Sequence, residues 1–191
     1  MDLIRAFIAI SIPPAVQNMV ENIQDRFKQI RAPIRWVKPS NLHLTLKFLG
    51  NITEEQIEGA KKCLKEAGQG VNSFTLKATE TGGFPNLNYP RVLWLGFSDP
   101  DGQLYKLVEN IELQLQKIGF QRESRKFTPH LTIGRIKSSK GKKDFIRMLH
   151  KEKNVSCDDI CVTCFKLIKS DLKPSGPEYS VLHTFNLKKA V

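Results

Sequence analysis

At 191 residues the chain can bury a substantial core, as one large domain or as two small lobes. Its hydrophobic fraction of 40% is ordinary for a globular protein, and no apolar run approaches the roughly eighteen residues that a membrane span needs. Lysine and arginine outnumber the acidic residues by 30 to 19, for a net charge of +11. A surface this basic attracts polyanions such as nucleic acids, although a lysine-rich surface can also serve solubility alone.

The first part of the chain predicts strands that alternate with helices. An apolar strand at residues 4–11 is followed by two prolines, which suit the start of an amphipathic helix to about residue 30. The opening "MDLIRAFIAISIPP" lacks a small-residue cleavage site, which favours a buried strand of a cytoplasmic protein over a secretory signal. After a turn at "KPSN", residues 41–50 predict a strand that ends at its glycine. The stretch "NITEEQIEGAKKCLKEAG" then predicts a helix, with acidic residues early and lysines late.

The second part predicts mostly strands. Two strands at residues 73–84 and 91–97 are separated by the loop "PNLNYP", a helix follows at 101–119, and the next strand is at 127–136. The basic segment "KSSKGKKDFIRMLHKEK" predicts a loop and a short helix, and the strands "CVTCFKLIKSDL" and "YSVLHTFNL" close the chain. There is no strict alternation of strands and helices and no glycine-rich phosphate loop. We therefore predict an α+β fold with antiparallel sheets, and not a doubly wound nucleotide-binding fold.

The cysteine pattern allows a metal site but does not favour one. Cys157, Cys161 and Cys164 spell C-x3-C-x2-C, a spacing also used by iron–sulfur enzymes, and His150 could join them around zinc. Their surroundings are rich in β-branched and apolar residues, and only a short tail follows. We predict reduced, buried thiols and no metal.

One short motif occurs twice, once in each half of the chain. The segment "HLTL" at residues 43–46 recurs as "HLTI" at 130–133, which suggests a duplicated unit with two lobes. Because strand side chains alternate, His43, Thr45 and Lys47 are predicted to share one face of their strand. A single such pair is most often a packed part of the structure, whereas two copies facing one cleft would place two imidazoles and two hydroxyls together.

This combination of groups suits phosphoryl transfer at a phosphodiester without a metal. One imidazole can accept a proton from the attacking oxygen while the other donates a proton to the leaving oxygen. Thr45, Thr132 and Arg135 could stabilise charge on the phosphate oxygens. The nearest glutamates to the two motifs in the sequence are Glu54 and Glu123, and this distance disfavours a hydrolytic metal site. No G-x-S-x-G motif is present that would indicate a serine nucleophile.

The motifs "HLTL" and "FTPHLTIGR" resemble the two signatures of the 2H phosphoesterases, and within them the RNA 2',3'-cyclic phosphodiesterases, also called 2'-5' RNA ligases. The similarity extends through "RAFIAI", "LKFLG", "GGFPN", "PRVLW" and "LKPSGPEY" to nearly the full length. The resemblance implies a single domain over residues 1–191, in which two interleaved, pseudo-symmetric lobes present both motifs to a central cleft. It also implies antiparallel sheets with helices on the outside.

The resemblance further implies that the protein opens a ribose 2',3'-cyclic phosphate at an RNA 3' end and leaves a 2'-phosphomonoester. His43 would be the general acid that protonates the leaving 3'-oxygen, and His130 the general base that activates water. Thr45 and Thr132 would hold the phosphate oxygens with help from Arg135. No cofactor is implied.

Four further residues are candidates for RNA contact: Lys47, Arg91, Phe127 and Tyr179. The two aromatic residues could stack on a base or belong to the core, and Arg91 could reach a phosphate or cap a sheet. The expected partner is RNA with a 2',3'-cyclic phosphate end, including tRNA fragments, bound by a monomer away from membranes. Two alternatives stay open: a 2'-5' ligase that joins tRNA halves, and a non-catalytic RNA-binding module.

Overall fold

The computed structural model describes residues 3–30, 33–138, 142–151 and 159–189. Its strands are β1 (Ile4–Ser11), β2 (Ile34–Trp36), β3 (His43–Ile52), β4 (Phe74–Phe84), β5 (Val92–Ser98), β6 (His130–Ile136), β7 (Ile160–Val162), β8 (Cys164–Lys173) and β9 (Gly176–Asn186). Its helices are α1 (Pro14–Lys28), α2 (Glu54–Gly68), α3 (Gln103–Gln116) and α4 (Lys142–Lys151), with a 3-10 turn at Pro39–Asn41. The predicted α+β class is confirmed.

The strands form one curled antiparallel sheet. Their order is β7-β4-β5-β6-β3-β1-β8-β9, and β2 pairs with β6. Along this path four strands lie on each side of the junction between β6 and β3, and each of these two central strands carries one H-x-T motif. The sheet curls far enough for the segment before β4 to meet the end of β9, where the Ser73 amide donates to the Lys188 carbonyl at 2.6 Å.

The helices cover one face of the sheet. All four contribute buried apolar side chains to one continuous core, including Val20, Leu64, Leu107 and Phe145. Fully burying a side chain of this size contributes about 1.5–3 kcal/mol each. In the part of the chain that the structure describes, the buried apolar residues of the opposite face form a small separate cluster of Phe7, Ala9 and Ile168, with Tyr179 packed against it. We call this second surface the open face.

The boundary between β3 and α2 differs from the sequence prediction. β3 does not end at Gly50, which has a φ of 77°, but continues to Ile52. Helix α2 begins only after Thr53, whose hydroxyl accepts from the Gln56 amide while the Gln56 side chain accepts from the Thr53 amide. This reciprocal capping box sets the start of the helix more strongly than the preceding polar residues do.

Two other predicted strands also change. The predicted strand at 127–136 begins at His130, and "CVTCFKLIKSDL" is two strands, β7 and β8, interrupted at Thr163. The interruption has a topological cause, because β7 pairs with β4 in one half of the sheet whereas β8 pairs with β1 in the other.

The predicted basic segment and cysteine cluster are only partly described. Helix α4 begins at Lys142, while residues 139–141 and 152–158 lie outside the described ranges, with Cys157 among them. Cys161 and Cys164 are free thiols, the first exposed and the second half-buried, so the prediction that these thiols are buried is wrong for Cys161. Within the described ranges, no group of three His, Cys, Asp or Glu residues could hold a metal ion. None of the described helices is long and apolar enough to cross a membrane.

Candidate active site

The two H-x-T motifs meet at the centre of the sheet. Leu44 of β3 pairs with Leu131 of β6 in antiparallel register, and both leucines are fully buried on the helix side. Each leucine is the central residue of its motif, so the pairing relates the motifs by a local two-fold axis. Extending the antiparallel register by one residue places His43 opposite Thr132 and Thr45 opposite His130, all four on the open face.

A β-bulge follows the motif in β3. The pairing with β1 shifts between Ile8 and Ala9, which leaves Leu46 as an extra residue. An extra residue reverses the alternation of side chains that follow it. Lys47 therefore turns to the core side and Phe48 to the open face, the reverse of the arrangement predicted from strict alternation.

An equivalent bulge follows the motif in β6. The pairing with β5 shifts between Leu93 and Trp94, so that Ile133 is the extra residue. The buried Gln24 side chain of α1 donates to the Ile133 carbonyl at 3.0 Å, and the Val37 amide donates to the same carbonyl at 3.1 Å. The bulge brings Arg135 to the open face, at the position equivalent to Phe48 in the other half.

The prediction that Lys47 shares a face with His43 and Thr45 is wrong. Its ammonium lies 2.6 Å from a carboxylate oxygen of Glu112 in α3 and donates to the Gln121 carbonyl at 2.8 Å. Both charged side chains are more than nine-tenths buried. The bulge thus removes Lys47 from the RNA-contact candidates and gives it a structural ion pair.

Both motif histidines are held by the same local hydrogen bond. Nδ1 of His43 lies 2.8 Å from the Asn41 carbonyl, and Nδ1 of His130 lies 2.7 Å from the Thr128 carbonyl. A carbonyl oxygen can only accept, so Nδ1 carries the proton in each ring and Nε2 is left to exchange protons. Among the described residues neither Nε2 has a hydrogen-bond partner.

Aromatic rings fix the two imidazoles on the open face. The His43 ring lies between Phe7, with a centroid distance of 4.7 Å, and Tyr179, at 5.1 Å and perpendicular to it. The His130 ring stands perpendicular to Phe84 at 4.9 Å. These contacts restrict ring rotation, so each Nε2 has a defined direction.

Burial shifts both histidines toward the neutral form. It lowers the pKa of His43, and the hydrogen bond to the Asn41 carbonyl opposes this shift. It also lowers the pKa of His130, where the Thr128 carbonyl opposes the shift and the positive charge of Arg135 adds to it. Two neutral imidazoles in an apolar frame are suited to gain a proton when an anion arrives.

The other predicted phosphate ligands also surround this point. Thr45 and Thr132 are half-buried, and neither hydroxyl has a hydrogen-bond partner among the described residues. Arg135 is exposed and close enough to His130 and Tyr179 to act on the pKa of both. Burial raises the pKa of the Tyr179 hydroxyl, and the charges of Arg135 and Arg5 offset part of that rise.

Of the three remaining candidates, one contacts a motif histidine, one packs elsewhere, and one is exposed to solvent. Tyr179 contacts His43 directly. Phe127 packs against the core and against Tyr105 of α3, so the structure does not bring it to the histidines. The Arg91 main chain bonds to Phe84 and Ile136 at the ends of their strands, while its side chain is exposed to solvent.

Sequence reasoning missed the aromatic residues that surround the two histidines. Phe7 and Phe84 lie within the stretches "RAFIAI" and "GGFPN", but nothing in their pattern distinguishes a ring beside a histidine from a core ring. Trp94 pairs with Thr132, and a side chain at Gly82 would overlap its ring. Gly82 of β4 thus makes room for the Trp94 indole beside Thr132.

Comparisons with known proteins agree on one family. The family model "LigT like Phosphoesterase" matches residues 10–94 and 96–179, and each match contains one H-x-T motif. Proteins named RNA 2',3'-cyclic phosphodiesterase from Methanothermobacter thermautotrophicus and Aquifex aeolicus are 32% and 35% identical to the chain. The first alignment covers 96% of this chain and 99% of the relative, and the second covers 98% and 99%. The crystal structure of Escherichia coli LigT complexed with 3'-AMP is 25% identical, with a TM-score of 0.77 over 99% of this chain and all of that one.

Proposed function

The chain belongs to the LigT-like phosphoesterase family, and from that premise we propose that it hydrolyses 2',3'-cyclic phosphate at RNA 3' ends to a 2'-phosphomonoester. The relatives are named RNA 2',3'-cyclic phosphodiesterase, and a LigT structure holds 3'-AMP. The observation that carries the proposal is the pairing of Leu44 with Leu131, because it presents both histidines and both threonines to one point on the open face.

The histidines act as a proton-transfer pair. Nε2 of His130 accepts a proton from water as the water oxygen attacks phosphorus, and the bond between phosphorus and the 3'-oxygen breaks. Protonated His43 donates its Nε2 proton to that leaving oxygen. The 2'-oxygen keeps the phosphate, and solvent returns the two rings to their starting protonation states.

The surrounding side chains stabilise charge on phosphorus. The Thr45 and Thr132 hydroxyls donate to the non-bridging oxygens, and the Arg135 guanidinium neutralises part of their charge. These donors and the two imidazoles supply proton transfer and charge stabilisation without a metal ion.

Product analysis tests this function directly. The protein is incubated with an RNA oligonucleotide ending in a 2',3'-cyclic phosphate, with and without an excess of chelator, and the phosphomonoester is identified by chromatography. We expect a 2'-phosphate in both samples. A 3'-phosphate would refute His43 as the acid for the 3'-oxygen, and loss of turnover with chelator would refute the metal-free mechanism. RNA binding with no product would leave the non-catalytic module.

The pH dependence follows from the pKa of each histidine. The reactive free enzyme has one ring protonated and the other neutral, and this form is most abundant between the two pKa values. Because both pKa values lie below the ordinary 6.5, kcat/KM should peak below pH 6.5. A bound phosphate anion raises the pKa of both histidines, so the pH optimum of kcat should lie above that of kcat/KM. Initial rates from pH 4.5 to 9 give both curves, and a kcat/KM optimum above pH 7 would contradict the assignment.

A further inference from the structure

Exposed apolar side chains concentrate on the open face of the half that contains His43. The described ranges have eight large hydrophobic residues that are exposed. Four of them lie on this face of β1, β3, β8 and β9 or directly before β1: Leu3, Phe48, Leu172 and Val181. Single exposed apolar residues are ordinary, whereas a concentration beside a binding cleft indicates a contact surface.

A shallow cavity lies within this surface, lined by Arg5, Ala6, Phe48, Gly50 and Asn51. In the register of β1 and β3, Arg5 pairs with Asn51, and Phe7 pairs with Phe48. The cavity thus combines an aromatic ring that is 66% exposed with a guanidinium and an amide. A side chain added at Gly50 would meet no atom within 4 Å, so the approach to the cavity is open.

Ring contacts connect the cavity to the candidate active site. The Phe48 ring lies 6.1 Å from the Phe7 ring, and Phe7 in turn lies 4.7 Å from the His43 ring. Arg5 is close enough to Tyr179, the other neighbour of His43, to act on its pKa. A chain of ring contacts therefore leads from the phosphate site to Phe48.

The chemistry of the proposed reaction sets the side on which RNA lies. Attack and departure occur on opposite sides of phosphorus, with water beside His130 and the 3'-oxygen beside His43. The ribose that bears this oxygen, and the nucleotides attached to it, therefore extend from the phosphate toward the His43 half. The exposed surface around Phe48 lies in that half.

Charge selects among the possible occupants. No carboxylate lies within ion-pair distance of Arg5 in the part of the chain that the structure describes, so its guanidinium is available to an anion. Arg5 and Arg135 both face the cleft of a chain whose net charge is +11. A basic side chain beside an exposed aromatic ring is the usual arrangement for single-stranded nucleic acid.

We propose that Arg5, Phe48 and Asn51 form a subsite, the Phe48 subsite, for the nucleotide that precedes the cyclic-phosphate terminus of the RNA. The base of this nucleotide stacks on Phe48, and its backbone phosphate bonds to Arg5. The inference rests on the proposed function and extends it. It makes an oligonucleotide a better substrate than a cyclic mononucleotide.

The test compares kcat/KM for a trinucleotide ending in a 2',3'-cyclic phosphate with kcat/KM for the cyclic mononucleotide of the same terminal base. Phe48→Ala should lower the ratio of the two values roughly tenfold, as expected for loss of one stacked base. Arg5→Gln should lower the ratio and reduce the salt slope of trinucleotide binding by about 0.7, the value for one phosphate of a single strand. Tyr89→Ala is the matched control, since Tyr89 is 70% exposed in the loop after β4 in the other half.

The outcomes separate the subsite from the reaction. Equal losses on both substrates in Phe48→Ala, or a fall in the ratio in Tyr89→Ala alone, would overturn the subsite and leave the hydrolysis intact. Failure of the unaltered protein to cleave either substrate would instead overturn the proposed function. Titration of a trinucleotide ending in a 2'-phosphate tests the subsite without turnover, and unchanged affinity in Phe48→Ala would exclude it.

Discussion

Replacing His130 or His43 by alanine is expected to lower kcat for cyclic-phosphate hydrolysis about 100- to 10,000-fold, the usual contribution of a positioned acid or base. Each ring has its Nδ1 fixed by a backbone carbonyl and its plane fixed by an aromatic neighbour. Alanine removes the proton-transfer group and leaves the residues that held it unsubstituted. Initial rates with a cyclic mononucleotide measure the loss.

The rate losses of the two single variants should not add up in the double variant. If the histidines act in one concerted displacement, the double variant should lose little more than the worse single variant, because either loss already disables the coupled proton transfer. Fully additive losses would indicate that the rings act in separate steps.

An altered substrate distinguishes the acid from the base. The test uses a substrate analogue with sulfur in place of the leaving 3'-oxygen. Its 3'-thiolate departs without needing a proton. His43→Ala should therefore recover most of its rate on this analogue, whereas His130→Ala should not. His183→Ala is the matched control, since His183 lies on β9 against Phe185 and pairs with Leu167 of the core. A loss in this control as large as in either motif variant would show that removal of any imidazole damages the protein. If His130→Ala recovered its rate on the analogue and His43→Ala did not, His130 would be the general acid and His43 the general base.

The recurrence of H-x-T was sufficient to predict a shared face for both motifs, because the alternation of a strand is fixed from His43 to Thr45 and from His130 to Thr132. In β3 the predicted alternation failed one residue later. A bulge depends on the partner strand, and nothing in "HLTLKFLG" shows that Leu46 has no residue of β1 opposite it. The sequence therefore placed Lys47 where the structure places Phe48.

The anchoring of the histidines was also beyond the sequence. Asn41 and Thr128 act through their carbonyls, and a carbonyl is common to every residue, so no side-chain pattern marks it. The end of β3 shows the same limit, since the capping box at Thr53 and Gln56 competes with strand pairing that runs two residues past Gly50. The assignment of residues 1–191 to two interleaved lobes stays a prediction.

The second large effect concerns the ion pair that the bulge creates. Lys47→Met is expected to lower the free energy of unfolding by about 3–5 kcal/mol, because it leaves the buried Glu112 carboxylate without its partner. The same change frees the Gln121 carbonyl, which Lys47 otherwise satisfies, at the start of the segment that leads to His130. Urea unfolding followed by circular dichroism gives the value.

Two companions make this measurement decisive. Lys47→Met combined with Glu112→Leu should recover much of the loss, since two apolar side chains can replace a buried ion pair, although the Glu123 amide loses its carboxylate acceptor. Lys61→Met is the matched control, because Lys61 pairs with Glu58 on the surface of α2, where such a pair contributes about 1 kcal/mol or less. If Lys47→Met destabilised the protein no more than Lys61→Met does, the buried pair would not hold β3 to α3. If the double variant had a lower free energy of unfolding than Lys47→Met, the lost hydrogen bonds to residues 121–123 would cost more stability than the unpaired Glu112 charge.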